Sequence, residues 1–152
     1  MMIRLRYIIV ITLVLGVYAC KEVTNEVPDG PFETTPYSID VPKSLPPANF
    51  AYDNKPSEEG VYLGRMLFYD PIMSADSTQS CATCHNQEFA FTDNGKAFSV
   101  GVEGLEGKRN AMPIFNLMWH LDGFFWDGRA ELLRHQSLLP IQDPLEMNET
   151  LG

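Results

Sequence analysis

Between Ser80 and Gln87 the chain reads SCATCHNQ: two thiols three residues apart, with an imidazole directly after the second. Three chemistries use such a set. A dithiol redox pair wants it after a strand, opening the helix of a βαβ unit. A zinc site wants two further ligands at matching spacing. A c-type haem wants only what stands here: two cysteines to add across the vinyl groups as thioethers and a histidine on the adjacent turn to ligate the iron. The preceding PIMSADSTQS does not read as a strand. His120 and His135 have no ligand partner close in sequence and are expected to be non-ligands, and Cys20 lies far away beside an apolar run. Cys81, Cys84 and His85 are therefore expected to hold haem c, with His85 as the proximal ligand.

The elements that must position this set are mostly helical. In PSEEGVYLGRMLFYD, Ser57 suits an N-cap and Glu58 and Glu59 suit the positive end of a helix dipole. Leu63 and Leu67 share a face, with Val61 and Phe68 beside them, so a helix is expected from about Glu58 to Tyr69, stopped by Asp-Pro. DNGKAFSVGVEGLEGKRNA is a glycine-rich loop with four glycines from Gly95 to Gly107. It lacks the G-K-[ST] ending of a phosphate loop. RAELLRHQSLLP predicts a second helix, with Leu132, Leu133, Gln136 and Leu139 at helical spacing and Pro140 as its stop. PLEMNETLG is expected to begin another helix, interrupted at Gly152. Strand signal is weak, so the fold class is mainly α, a cytochrome c-like haem domain with long loops and a proline-rich N-terminal arm.

The chain has 152 residues, 45% of them hydrophobic, which suits one domain with a real core. MMIRLRYIIVITLVLGVYAC begins with two arginines and continues with an apolar run from Tyr7 to Ala19, short for a membrane span but right for a signal-peptide core. Its ending before Cys20 resembles the lipobox of bacterial lipoproteins. Residues 1–19 are thus expected to be a lipoprotein-type signal peptide and Cys20 a lipidated membrane anchor. The three cysteines then resolve into one anchor and two thioethers. Thioether attachment occurs outside the cytoplasm, so the expected location is the bacterial cell envelope, on the periplasmic side. Residues 20–55 are dense in proline and read as a tether and extended arm, in which Tyr37, Ile39 and Val41 form either a short strand or irregular chain. Residues 56–152 are expected to be the haem domain, truncated at its C-terminus. The net charge is −9; removing residues 1–19 takes away two arginines and no acids, leaving −11. Such a chain has no basic surface for phosphates, and nucleic acid is not an expected partner.

EGVYLGRMLFYDPIMSADSTQSCATCHN, FAFTDNGKAFSVGVEGLEGKRNAMPIFN and GFFWDGRAELLRHQSLLPIQDPLEM, in that order, resemble the bacterial di-haem cytochrome c peroxidase family, which includes MauG-type proteins. The resemblance spans about Ser57 to Met147. It implies that Cys81, Cys84 and His85 carry the peroxide-reacting haem. It implies that Glu146 is the distal acid–base residue and that Gln136 stands with it. It places Trp126 between two haems and gives Asn110 to an interdomain calcium site. It further implies hydrogen peroxide as substrate and a small cytochrome c or cupredoxin as electron donor; a homodimer is a further expectation. The residues make sense independently of the resemblance. A carboxyl in an apolar pocket, its pKa raised by desolvation, can take a proton from one peroxide oxygen and return it to the other, while a glutamine can hold peroxide in line.

Two departures stand out. Some family members carry a histidine in the glycine-rich loop that ligates the distal face of the resting haem. Here SVGVEG has Val102 at that place, which cannot ligate iron, and Glu103 beside it is a poor substitute. The haem is therefore expected to be open without reductive activation. The family also uses two haems, and this chain has one CxxCH. Two other functions share the same attachment site. An electron-transfer cytochrome would need a sixth ligand from Met66, Met73, Met112, Met118 or a spare histidine. A MauG-type haem oxidase would act on an organic or protein substrate.

Overall fold

The computed structural model describes Gly30, residues 32–48, Phe50 and residues 53–151. The expected signal peptide, the Cys20 anchor and most of the tether before Gly30 lie outside the described residues. The chain divides into two units, Met1–Glu33 and Thr34–Gly152, and the second holds every site residue singled out above. Among the described residues its regular elements are three helices, α1 (Glu58–Tyr69), α2 (Cys81–Cys84) and α3 (Leu133–Gln142), with 3₁₀ turns at Pro71–Met73, Gln87–Phe89 and Leu117–Trp119. Pairing between extended segments is limited to four isolated bridges among the described residues. The architecture is mainly helix and loop, consistent with a cytochrome c-like haem domain.

Helix α1 occupies the expected range. The Ser57 hydroxyl accepts the Gly60 N–H at 3.0 Å, and the Asp70 N–H closes the last turn on the Met66 carbonyl. Asp70 then accepts the Ile72 N–H at 2.9 Å and starts the 3₁₀ turn, so one residue ends one helix and caps the next. Before α1 the chain is held by backbone bonds, Tyr37 N–H to the Pro56 carbonyl at 3.0 Å and Glu58 N–H to the Thr35 carbonyl at 2.8 Å. Tyr37, Ile39 and Val41 form no strand; a single bridge joins Pro36 to Ser57. Further along, the Trp119 indole donates to the Pro46 carbonyl at 3.0 Å.

Two helix expectations require correction. RAELLRHQSLLP does not begin its helix at Arg129. Ala130 is tied back to Phe124 by paired backbone bonds of 2.7 and 3.4 Å, which hold it extended, and α3 starts only at Leu133. Nor does Pro140 stop it. The helix continues to Gln142, because losing one N–H near a C-terminus costs a single internal bond, and Asp143 N–H still reaches the Leu139 carbonyl at 3.0 Å. PLEMNETLG forms no helix over its described residues. Its amides are spent elsewhere: Met147 N–H on the Pro140 carbonyl, Glu149 N–H on the Ile141 carbonyl, and Glu146 and Asn148 N–H on the Asp143 carbonyl. Asn148, at φ 51°, turns the chain back.

The core is small. Among the described residues Phe124, Ala130, Ile141 and Met147 are its buried apolar members, and Ser74 and Asp93 are the buried polar ones. Helix α1 buries none of its residues fully, and Tyr62, Leu63 and Met66 stay exposed.

Candidate functional site

The CATC segment forms one turn of helix, α2. Thr83 Oγ1 accepts the Ser80 N–H at 3.1 Å and the Thr83 N–H reaches the Ser80 carbonyl, which fixes where the turn begins. His85 is its C-cap, with its N–H on the Cys81 carbonyl at 2.9 Å. Beyond it the chain turns sharply. Ala90 and Phe91 both take the left-handed backbone region (φ 55° and 58°), and Asn86 and Thr92 bridge the turn. This conformation aims the Phe91 carbonyl at His85 Nδ1, 3.0 Å away. A carbonyl can only accept, so Nδ1 is the donor here and Nε2 is the nitrogen left to act as a ligand. An Nδ1–H held by a backbone carbonyl is the arrangement that orients a metal-binding imidazole.

Both thiols are free and half-buried. Burial pushes the Cys81 thiol up; burial and then the neighbouring Asp93 carboxylate do the same for Cys84. Asp93, itself buried, is paired with Lys96 at 2.9 Å.

Cys84 and His85 open onto a cavity of about 390 Å³, and Gln136, Glu146, Trp126 and Asn110 line the same cavity. Of the haem-attachment, acid–base, electron-path and calcium candidates, the cavity gathers all but Cys81, which lies one turn back along α2. Glu146 is contributed by the turn after α3 and Gln136 by the helix itself. Burial pushes the Glu146 carboxyl above its ordinary range, the nearby Asp143 adds to this, and Arg129 opposes it. Trp126 sits on the rim, exposed, with its indole N–H on the Asn110 carbonyl at 3.3 Å. His120 donates to the Gly123 carbonyl instead, and neither it nor His135 lines the cavity. Of the four methionines named above, Met112 alone lines it. Glu103 points away, accepting the Asn148 side-chain N–H at 3.0 Å.

Sequence reasoning missed the cations. Lys108, Arg109 and Arg129 line the cavity of a chain whose net charge is −9. Arg129 stacks over the Phe125 ring at 3.6 Å and pairs with Asp127 at 3.0 Å, and Arg109 reaches the same carboxylate at 3.6 Å. The available signal was the adjacent Lys108–Arg109 pair in GKRNA and the single Arg129 in DGRA.

The residues present fit a covalent haem on chemical grounds. Two free thiols share a helical turn, an imidazole is held through Nδ1 by a backbone carbonyl, and basic side chains are at hand for the propionate carboxylates. A mainly helical domain with these features defines a c-type cytochrome domain. The comparisons narrow it. Residues 58–152 match the family model described as di-haem cytochrome c peroxidase. The methylamine utilization protein MauG of Methylorubrum extorquens is 41% identical over 98 residues, covering 64% of this chain and 27% of that protein. The cytochrome c peroxidase Ccp of Escherichia coli K12 is 45% identical over 87 residues, 57% of this chain and 18% of that protein. The crystal structure of a MauG-like protein associated with microbial copper homeostasis superposes with a TM-score of 0.69 at 41% identity, over 76% of this chain and 33% of that one. The chain belongs to the di-haem cytochrome c peroxidase family, and haem c is the cofactor that membership implies. It spans a third or less of the length of these relatives.

Proposed function

We propose that this chain is the peroxide-reacting haem domain of a cytochrome c peroxidase, reducing hydrogen peroxide to water with electrons from a small cytochrome c or cupredoxin by way of a second haem. The observation that carries the reading is the convergence of Cys84, His85, Gln136 and Glu146 on one cavity, with the Glu146 carboxyl raised by burial. Haem, when bound, supplies the Lewis-acidic iron and the redox equivalents. The chain's own residues do the rest. Cys81 and Cys84 would hold the macrocycle as thioethers and His85 would ligate the iron through Nε2, its ring oriented by the Phe91 carbonyl on Nδ1. Gln136 orients peroxide by hydrogen bonds. Glu146 takes the proton from one peroxide oxygen and delivers it to the other, which leaves as water. Trp126, exposed at the rim, is where electrons enter. Val102 at the place of the family's displaceable histidine leaves the distal face open without prior reduction. The domain follows a lipoprotein signal (residues 1–19) and a proline-rich tether (residues 20–55), held to an envelope membrane through Cys20 on the periplasmic side.

Calcium at Asn110 and a homodimer add nothing to this reading; among the described residues no three carboxylate, thiol or imidazole side chains converge on a cation site. One rival has a specific support. Met112 lines the cavity, and its thioether as sixth ligand would make the domain an electron carrier. The test is the absorption spectrum of the ferric haem-loaded protein, followed by rapid mixing with hydrogen peroxide. A high-spin spectrum that changes within milliseconds supports the peroxidase. A low-spin spectrum that is indifferent to peroxide, and that turns high-spin in Met112→Ala, supports the carrier. A protein or organic substrate, as for MauG-type oxidases, would show as peroxide-dependent oxidation of that substrate without a donor cytochrome.

A further inference from the structure

Gly101 is buried at the base of the glycine-rich loop, where that loop meets the turn carrying Glu146. Its φ is not in the left-handed region, so conformational freedom does not explain it. Space does. A β-carbon on residue 101 would lie 2.6 Å from the Leu145 carbonyl carbon, 2.7 Å from the Glu146 carbonyl oxygen and closer still to the Leu145 oxygen. All three are backbone atoms that cannot swing aside. The two backbones are also bonded, since the Val102 N–H donates to the Glu146 carbonyl at 2.9 Å. One step outward, the Asn148 side chain donates to Glu103 at 3.0 Å.

The loop that makes these contacts is closed on itself. Gly107 N–H reaches the Ser99 carbonyl at 2.8 Å, Gly101 N–H the Leu105 carbonyl at 2.9 Å, and Val100 bridges to Glu106. It is tied as well to the segment before the cysteines, because Gln79 Nε2 donates to the Val100 carbonyl at 2.9 Å. Ser99, at its first rung, lines the cavity with Cys84. The loop is thus a spacer between the haem-attachment turn and the Glu146 turn.

We propose that Gly101 is a positioning residue for Glu146: the close backbone approach it permits, with the Val102–Glu146 and Glu103–Asn148 bonds, sets how far the carboxyl stands from the cysteine–histidine turn. This rests on the reading of Glu146 as the proton-transfer group. A methyl group at residue 101 must push the Glu146 backbone away. Displacement of a catalytic group by about 1 Å costs on the order of 100-fold in rate.

The experiment compares haem-loaded wild type, Gly101→Ala, Glu103→Ala, Glu103→Gln and Glu146→Gln. Two readouts are taken: the second-order rate of reaction with hydrogen peroxide, and the infrared titration of the Glu146 carboxyl, identified by its loss in Glu146→Gln. Gly101→Ala is expected to slow the reaction about 100-fold and to move the carboxyl titration to lower pH, because the carboxyl becomes less buried. Asp143, Arg129 and Cys84, the other charged or titratable groups that act on or with it, are unchanged in this variant. Glu103→Ala is expected to slow the reaction about fivefold, one hydrogen bond's worth of restraint. Glu103→Gln keeps the acceptor and should restore the wild-type rate. If Gly101→Ala fails to fold, the Glu103 pair decides the question. A folded Gly101→Ala, or a Glu103→Ala, with unchanged rate and unchanged titration overturns the positioning role. If Glu146→Gln reacts like wild type while Gly101→Ala still moves the titration, the clamp stands and the proton-transfer role of Glu146 falls.

Discussion

The two halves of the candidate site are built in opposite ways. The haem-attachment turn is local. Cys81, Cys84, His85 and the Phe91 carbonyl that orients the imidazole lie within eleven residues, and every bond shaping that turn joins neighbours. The Glu146 turn is assembled from a distance. Its amides and carbonyls bond to Ala75, Val102, Pro140, Ile141 and Asp143, and its depth depends on a glycine forty-five residues earlier in the chain. Short-range contacts order few residues for each bond formed, whereas the Glu146 turn, besides its bonds back to Pro140, Ile141 and Asp143, is held by two contacts, from Ala75 and Val102, that each close a long loop. The attachment turn should therefore tolerate disturbance of the rest of the fold, and the Glu146 turn should not.

The largest expected effect lies on the local side. Cys81→Ser or Cys84→Ser removes one thioether, and loss of stoichiometric covalent haem should be visible by intact-mass analysis. The next lies on the distant side. Glu146→Gln keeps the shape and removes the titrating group, so the peroxide step should slow by about 10²–10⁴-fold, read by stopped-flow spectroscopy with haem content unchanged.

The acidity of the same residue separates the two halves by pH. Burial, then Asp143, raises the Glu146 pKa, so the folded state holds its proton more tightly than the unfolded state does. The neutral carboxyl's contribution to stability is then present at acid pH and is lost as pH rises from the unfolded value through the raised folded one. Glu146→Gln should accordingly raise Tm at neutral pH and change it little in acid. In wild type the peroxide rate should rise with pH through that raised pKa, as the carboxylate that accepts the proton forms, and the variant should lose this limb. A stability profile indifferent to Glu146 would place its carboxyl in solvent and dissolve the contrast.

The smallest expected effect tests the local turn's own strain. Ala90 holds a left-handed conformation that disfavours any β-carbon, and Ala90→Gly should stabilise the protein by about 1 kcal/mol in thermal unfolding. The haem absorption spectrum should be unchanged if the His85–Phe91 bond survives, as a locally determined turn requires.

Legibility followed the same division. The one-turn geometry of CxxCH was readable because two cysteines three residues apart need only a single helical turn, and helix α1 because Ser57, two glutamates and Asp-Pro mark its ends locally. The start of α3 was misread because the Phe124–Ala130 bridge overrides helical periodicity with a tertiary bond. The segment after Asp143 was misread because its helix-compatible sequence spends its backbone groups on other elements. Arg109, Arg129 and Lys108 were passed over because nothing in one dimension shows that three separate cations share a wall with Glu146.

By itself the sequence determined the pieces whose physics is contiguous: the cysteine–histidine turn, the first helix, the mainly helical class and the family. Only the tertiary structure decided that Glu146, Gln136 and Trp126 line one cavity with His85, and that a buried glycine lets the backbone of its loop approach that of Leu145 and Glu146. The reason is range. A helical turn is specified by side chains three and four residues apart, while the depth of a carboxyl in a cavity is specified by packing between segments that meet only when the chain has folded.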